Sequence, residues 1–286
     1  MPVVDEGLGN SAYLADLGEG RALAVDVPRD LRAVRAAASR HGLSVAFAAD
    51  THLHADFLSG ARQLACDDGV QVLASAAGGR LFGHRALSDG DEVDLGGLTL
   101  RAWATPGHTA EHVAFLLADG HDVLGVFTGG SLLVGAAART DLAGPGQAEP
   151  LARAQFGSLR RLLTLPDDTM VYPTHGAGSF CSAPPGSERT TTIGRERAAS
   201  PLLAVPDQDT FVEALLGSLG SFPPYFLRLA GPPADRRRRA GRRCPPGARL
   251  RGRAHPGRAG HPAASGVRHL ARLACPRSRH PADHRG

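Results

Sequence analysis

The chain has 286 residues, of which 42% are hydrophobic, so it is long and apolar enough to fold around a sizeable core. It contains no run of 18 apolar residues and begins without the basic start of a signal peptide, which disfavours a membrane partner and predicts a cytoplasmic protein. The net charge of +4 is uneven, because residues 1–230 carry 17 arginines and 26 acidic residues, whereas residues 231–286 carry 15 arginines and two acidic residues.

The first part of the sequence predicts a hairpin, a helix and then a strand that ends in a polar loop. The predicted elements here are strands at Ser11–Leu17 and Ala22–Val27, a helix at Arg29–His41, a strand at Ser44–Ala49, a loop at Thr51–Asp56 and a helix at Leu58–Ala65. A strand, a polar loop and a helix in this order place the loop at the carboxyl end of the strand, where α/β folds bind ligands.

Short strands and helices continue to about residue 216. The predicted strands are Val70–Ala74, Glu92–Leu95, Leu98–Ala104, His112–Leu117, Asp122–Thr128 and Met170–Pro173, and the predicted helices are Leu151–Leu165, Thr190–Ala199 and Gln208–Leu216. Many short strands followed by helices indicate an α/β architecture with two sheets sandwiched by helices.

Residues 231–286 are rich in Arg, Pro, Gly and Ala and nearly lack aromatic and β-branched residues. Such a segment cannot bury enough apolar area to offset its ordering entropy, so we predict a disordered basic tail. Out-of-frame reading of a GC-rich gene would give the same composition and is one hypothesis for its origin. The alternative is an arm that binds nucleic acid through Arg236–Arg239, which we do not expect because aromatic residues for base stacking are absent.

The Thr51–Asp56 loop carries three side chains that can bind a metal ion. On an extended segment, His52, His54 and Asp56 point to the same face because side chains alternate. Neutral imidazole is a common ligand of zinc and iron. The alternative for this motif alone is a polar strand end with exposed histidines.

Two further histidines follow predicted strands. His108 lies in the turn Thr105–Thr109, and His175 comes directly after the strand that ends at Pro173. Histidines repeated at strand exits are typical of a site assembled from loops on a rigid scaffold. The three motifs together therefore predict one metal centre.

In this order, the motifs resemble those of the metallo-β-lactamase superfamily. The matching residues are His52, His54 and Asp56, the Pro106–Thr109 turn, the Phe127–Gly129 strand end and the His175 loop. Within the superfamily, Thr51–Gly60 and Arg139–Asp141 are most similar to the persulfide dioxygenase branch, whose nearest relatives are the class II glyoxalases. The resemblance implies a four-layer αββα sandwich of two mixed sheets over residues 1–220, followed by a linker at 221–230.

Two positions depart from the family pattern. Phe57 stands where two-metal hydrolases of the superfamily have a histidine, and Gly130 stands where the family usually has the aspartate that bridges two metals or completes a mononuclear iron site. A hydrolase of the glyoxalase type uses two ions to generate and position hydroxide. We therefore predict one divalent ion, held mainly by His52, His54 and His108, with Asp56 and His175 as further metal ligands.

The resemblance implies Fe(II) as the favoured cofactor, with Zn(II) as the alternative, since a three-ligand site with open positions suits both ions. In persulfide dioxygenases, iron binds the outer sulfur of glutathione persulfide and dioxygen adds to it, giving sulfite and thiol. We predict this chemistry on a small thiol-derived substrate, with Asp56 or a water replacing the lost carboxylate. Arg139 would meet an anionic group of the substrate; its alternative is an ion pair with Asp141.

Two more candidates have structural alternatives. His112 is predicted to support a ligand or a loop rather than to bind metal. Cys181 lies near His175 and could carry a persulfide, but free cysteine is usually buried in packing, and the four cysteines form no CxxC pair that would indicate a thiolate zinc site. Besides the dioxygenase, a zinc thioester or lactone hydrolase and a catalytically impaired metal-binding remnant stay open, as does a homodimer.

Overall fold

The computed structural model describes residues 1–176, 179–181 and 188–226, and these carry two six-stranded sheets. The strands of the first sheet are β1 (Pro2–Asp5), β2 (Asn10–Gly18), β3 (Arg21–Val25), β4 (Ser44–Asp50), β5 (Gln71–Ser75) and β6 (Arg85–Leu87). The strands of the second sheet are β7 (Glu92–Asp94), β8 (Thr99–Ala104), β9 (Val113–Asp119), β10 (Asp122–Gly129), β11 (Met170–Pro173) and β12 (Thr191–Thr192). The helices are α1 (Arg32–Arg40), α2 (Ala61–Asp68), α3 (Ala148–Leu162), α4 (Ile193–Ala199) and α5 (Gln208–Gly217).

Both sheets are mixed. In the first sheet the strands follow chain order; β1, β2 and β3 pair antiparallel, and β3 to β6 pair parallel. In the second sheet the order is β12, β11, β10, β9, β8, β7, in which β10 and β11 pair parallel and the other neighbours pair antiparallel. Parallel strands need a crossover, and α1, α2 and α3 supply the crossovers to β4, β5 and β11.

The two sheets pack face to face, with the helices on their outer faces. Tyr13 and Leu73 from the first sheet meet Phe115 and Phe127 from the second in one buried cluster. On the outer faces, α1 and α2 cover the first sheet, and α3 and α5 cover the second. The predicted four-layer αββα sandwich is confirmed. The sandwich forms because each sheet carries apolar side chains on both faces. One face packs on the other sheet, and the opposite face packs on helices.

The segment predicted as a helix from Thr190 to Ala199 differs in its first part. Thr191–Thr192 forms the edge strand β12, and the helix begins at Ile193. The hydroxyl of Thr192 accepts a hydrogen bond from the amide of Arg195 and caps the helix. β-branched threonines favour an extended backbone, which explains the strand.

Residues 221–226, part of the predicted linker, pack against the body of the domain. Phe226 is fully buried in a cluster with Ala55, Leu133 and Cys181, and Phe222 packs against this cluster. The predicted disordered tail at 231–286 lies outside the described residues. Within the described part of the chain, no helix is both long and apolar enough to cross a membrane.

Candidate metal centre

Four histidine rings converge where the two sheets meet. His52 and His54 follow β4 of the first sheet, whereas His108 and His175 follow β8 and β11 of the second. The ring centroid of His52 lies 4.0 Å from that of His54, 4.8 Å from that of His108 and 5.3 Å from that of His175. All four rings are buried.

Backbone hydrogen bonds fix this meeting point. The amide of Val113 donates to the carbonyl oxygen of Thr51 at 2.9 Å, and the amide of Ser11 donates to that of Thr174 at 2.8 Å. Each bond joins one sheet to the other beside a histidine. The loops that carry the histidine rings therefore start from backbone segments that these hydrogen bonds hold in place.

Ligand atoms gather in three groups: Asp26, Asp50 and His54 form one, and the other two share His175. One ligand atom from each of His52, His54 and His175 lies within 4.8 Å of the others, and the same limit holds for His108, His175 and Cys181. Each of the four predicted histidines thus belongs to one of these groups, and His175 belongs to both, but the predicted main ligands His52, His54 and His108 do not form a group of their own among the described residues. His108 stands in the second group beside Cys181, a residue that the sequence assigned to packing.

Hydrogen bonds fix the tautomers of His108 and His175. Nδ1 of His108 lies 2.7 Å from the carbonyl oxygen of Arg139, so it must donate. Nδ1 of His175 lies 2.9 Å from Oδ1 of Asn10, whose amide nitrogen donates to Asp56, so this Nδ1 donates as well. Burial lowers the pKa of His175, and it lowers the pKa of His108 to about 3. Both rings are therefore neutral, with an unprotonated Nε2.

His52 has the same tautomer for a different reason. Its Nδ1 lies 2.8 Å from Oγ1 of Thr51, whose own proton goes to Asp26 at 2.7 Å, so Nδ1 donates. Burial, followed by the nearby His54, lowers the pKa of His52 well below its usual value. Nε2 of His52 is thus an unprotonated acceptor like that of His175.

The two Nε2 atoms of His52 and His175 lie 3.3 Å apart. Facing lone pairs repel one another unless a cation lies between them. Two nitrogens that bind one tetrahedral ion with bonds of about 2.0–2.1 Å are separated by about 3.4 Å. The pair therefore fits a bound divalent metal ion.

His54 offers its other ring nitrogen. Nε2 of His54 contacts Oδ1 of Asp26 at 3.2 Å, and its buried Nδ1 has no hydrogen-bond partner among the described residues. Burial alone would lower the pKa of His54, but the carboxylate of Asp26 outweighs it and raises the pKa. Nδ1 is thus the atom that a metal ion or a proton would occupy.

Asp26 connects several parts of the site, and the sequence did not predict this role. Its carboxylate accepts hydrogen bonds from the amide and hydroxyl of Thr51 and from the hydroxyl of Thr174, and it contacts His54. Burial would raise the pKa of Asp26, but His54 and these donors lower it to about 2. A lone aspartate after a strand gives no sequence signal, because its partners lie up to 148 residues away.

Asp56 stands beside the rings as a carboxylate. Oδ2 accepts a hydrogen bond of 2.6 Å from Asn10 and lies 3.5 Å from Nδ1 of His175. Burial raises and His175 lowers the pKa of Asp56, and the net shift is downward. Oδ1 is buried without a hydrogen-bond partner in the described part of the chain, so one oxygen remains available to a ligand.

His112 supports the centre, as predicted, without offering a ligand atom. Its Nε2 accepts a hydrogen bond of 3.0 Å from the amide of Gly130, and its Nδ1 therefore carries the proton shared with Thr105 at 2.8 Å. Both ring nitrogens of His112 therefore form hydrogen bonds within the protein.

The two departures from the family pattern have clear structural consequences. Phe57 stacks on the His54 ring with centroids 4.1 Å apart, so an apolar ring occupies this side of the centre. At Gly130, an added Cβ would lie 2.3 Å from Cδ2 of His108. The His108 ring thus fills the space that a side chain at position 130 would need.

Arg139 is engaged inside the protein. Its guanidinium forms two hydrogen bonds with Asp141, at 2.7 and 2.8 Å, and donates to the carbonyl oxygens of Phe180 and Gly220. Its side chain is 2% exposed and lies over the Phe222 ring at 4.3 Å. This arrangement favours the ion pair, which the sequence left as the alternative to substrate binding.

Known proteins are similar to this chain in both sequence and fold. The chain is 31% identical to the persulfide dioxygenase ETHE1 of Homo sapiens over 210 residues, which cover 72% of each chain. The chain belongs to the metallo-β-lactamase superfamily. A hydroxyacylglutathione hydrolase of Brucella anthropi is 34% identical over 186 residues, covering 61% of this chain and 67% of the relative. No protein-family model matches the chain.

A solved structure of the superfamily matches most of the described fold. The crystal structure of ETHE1 from Myxococcus xanthus superimposes with a TM-score of 0.68 at 28% sequence identity and covers 82% of this chain and 97% of its own. The relatives include both a persulfide dioxygenase and a hydrolase. The comparisons therefore support a metalloenzyme of this superfamily without choosing between the two reactions.

Proposed function

We propose that this chain is a mononuclear-iron persulfide dioxygenase that oxidises glutathione persulfide or a related low-molecular-weight persulfide. The observation that carries the proposal is the set of four buried imidazoles, each with one nitrogen committed to the protein and the other left for a ligand. Such a set can bind a cation. The persulfide dioxygenase relatives supply the reaction class.

A single ion is favoured over two. A two-metal hydrolase needs ligands on both sides of a bridging group. Here Phe57 stacks on His54, and the His108 ring fills the space beside Gly130. Neither phenylalanine nor glycine has a side chain that binds metal, so the residues at these two positions disfavour the hydrolase.

Each residue of the centre would have a separate role in the proposed reaction. Ferrous iron, when bound by the histidines, supplies the chemistry that adds dioxygen to a persulfide. Persulfide, dioxygen and water give thiol and sulfite, with two protons released. Asp56 is placed to accept one of these protons at Oδ1, since that oxygen has no hydrogen-bond partner among the described residues. Asp26 holds His54 and, through Thr51, His52 in their ligand orientations.

The test is elemental analysis of the purified full-length chain, followed by oxygen-electrode measurements with glutathione persulfide. We expect about one iron per chain and oxygen uptake that matches sulfite formation. Replacing Asp56 with Asn should lower kcat by about 10²–10⁴-fold while iron stays bound. His121→Gln, at an exposed turn, is the control and should leave uptake unchanged.

Other outcomes would identify the alternatives. Zinc with cleavage of a glutathione thioester and no oxygen uptake would point to the hydrolase, which the 34% identity to the Brucella anthropi enzyme favours. A protein that purifies without stoichiometric metal and cannot be reconstituted would be a metal-binding remnant. Either result would refute the dioxygenase.

A further inference from the structure

Cys181 lies beside two histidines of the candidate metal centre. Its side chain is 1% exposed, and one ligand atom each of Cys181, His108 and His175 lies within 4.8 Å of the others. With metal–nitrogen bonds of about 2.1 Å and metal–sulfur bonds of about 2.3 Å, the nitrogen and sulfur ligands of one tetrahedral ion lie about 3.6 Å apart. A side-chain movement of about 1 Å closes the difference.

The backbone of Arg139 holds His108 and Cys181 in a fixed relation. Its carbonyl oxygen accepts the proton on Nδ1 of His108 at 2.7 Å, and its amide donates to the carbonyl oxygen of Cys181 at 3.3 Å. Its guanidinium also donates to the carbonyl oxygen of Phe180 at 3.1 Å. One residue thus contacts both the His108 ring and the backbone of Cys181.

Gly130 allows this arrangement. Any Cβ at position 130 would overlap the His108 ring, so the ring keeps its place beside Cys181 only because residue 130 is glycine. The same residue removes the carboxylate that the family usually offers. The centre therefore lacks one anionic ligand, and Cys181 offers a sulfur atom beside the same histidine, His108.

We propose that Cys181 binds the metal ion as a thiolate, together with His108 and His175. The inference rests on the metal centre of the proposed function and assigns it an anionic ligand in place of the missing carboxylate. Thiolates bind both zinc and iron, so the ligand suits either ion. The scattered cysteine spacing argued against a thiolate site, because only the fold brings Cys181 to His108, which lies 73 positions earlier in the chain.

The test uses the full-length chain, stripped with a chelator and reloaded with Co(II) alone. We expect a thiolate-to-cobalt charge-transfer band in the near ultraviolet, which Cys181→Ser abolishes while weakening Co(II) binding at least about tenfold. Cys244→Ser and Cys275→Ser, each made alone, are the controls and should keep the band. A band that persists in Cys181→Ser would overturn the proposal.

X-ray absorption of the unmodified zinc-loaded chain tests the same claim without a substitution. We expect one sulfur scatterer at about 2.3 Å, and a shell of nitrogen and oxygen alone would overturn the proposal. The two proposals can fail separately. Sulfur scattering without oxygen uptake would reject the dioxygenase and keep the ligand, whereas oxygen uptake without sulfur scattering would do the reverse.

Discussion

At the scale of single residues, Gly130 leaves the space that the His108 ring occupies in the centre. A side chain there would have to displace the His108 ring, which is held by its own hydrogen bond to Arg139. The missing aspartate is therefore more than a lost ligand, because the neighbouring histidine has taken its space. Restoring the carboxylate alone would not restore a carboxylate-type site.

Gly130→Ala tests this packing. We expect the free energy of unfolding to fall by about 1–3 kcal/mol, because a methyl group overpacks a buried site. Gly157→Ala, on the exposed face of α3 with open space around its Cα, is the control and should raise it by about 0.5–1 kcal/mol. Urea unfolding measures both, and an unchanged Gly130→Ala would show that His108 lies elsewhere.

Buried neutral histidines make the metal-free protein sensitive to acid. The pKa of His108 is about 3 in the folded state, whereas an unfolded histidine titrates near about 6.5. Below about pH 6.5 the unfolded chain thus binds a proton that the folded chain does not bind. The free energy of unfolding is therefore undiminished above about pH 6.5 and falls as the pH drops from there towards about 3. Burial shifts the pKa values of His52, His112 and His175 in the same direction.

Urea unfolding of the metal-free chain between pH 7.5 and 5 should therefore show falling stability. His108→Gln removes one of these groups and should make the slope shallower, whereas His121→Gln should leave it unchanged. A slope that is the same in all three proteins would contradict a neutral, buried His108.

At the scale of elements, one carboxylate joins the ends of three strands. Asp26 follows β3, its partners Thr51 and His54 follow β4, and Thr174 follows β11 of the other sheet. The left-handed backbone at Asp26, with φ of 51°, turns its side chain into this junction. The ligand loops are thus held by a polar network as well as by the sheets.

Asp26→Asn should weaken both the fold and the metal centre. We expect a loss of at least about 2 kcal/mol in the free energy of unfolding, because a buried charge partner of His54 disappears. Metal affinity should fall by about 10–100-fold, since the ligand rings lose their orienting acceptor. Urea unfolding and a Co(II) titration measure these effects, with Asp122→Asn at the exposed start of β10 as the control. Normal metal binding in Asp26→Asn would show that the network plays no part in it.

The elements show what the sequence can and cannot predict. The strands before the three histidine loops were predicted within one or two residues, because alternation and turn residues are local signals. His52, His54, His108 and His175 were found for the same reason, since each follows a strand. Asn10 and Asp26 were missed because their contacts span the two sheets, and no local pattern reports a contact across such a distance; Cys181 was assigned to packing because the cysteine spacing shows no thiolate pattern.

At the scale of the whole molecule, the segment after α5 covers Cys181, which lies beside two histidines of the candidate metal centre. Phe226 packs on Cys181 and Ala55, and Gly220 accepts a hydrogen bond from Arg139. Tyr225, by contrast, is 41% exposed beside it. The predicted linker thus contributes to the core in its described part, whereas the domain boundary itself stays a prediction.

Phe226→Ala tests the cover. Removing a fully buried ring should cost about 3–5 kcal/mol of unfolding free energy, whereas Tyr225→Ala at the exposed neighbour should change it by less than about 1 kcal/mol. Urea unfolding compares the two. Equal effects would show that the segment does not pack as described.

This cover also bears on how the ion reaches its ligands. Every proposed metal-binding side chain is buried among the described residues, so a bound cation exchanges with solvent ions only when the protein around it opens locally. Exchange should therefore be slow in the native protein, and the element found after purification should record which cation was abundant while the polypeptide was folding. Growth medium becomes an experimental variable, because iron-fed and zinc-fed cells would yield differently loaded preparations of one and the same protein.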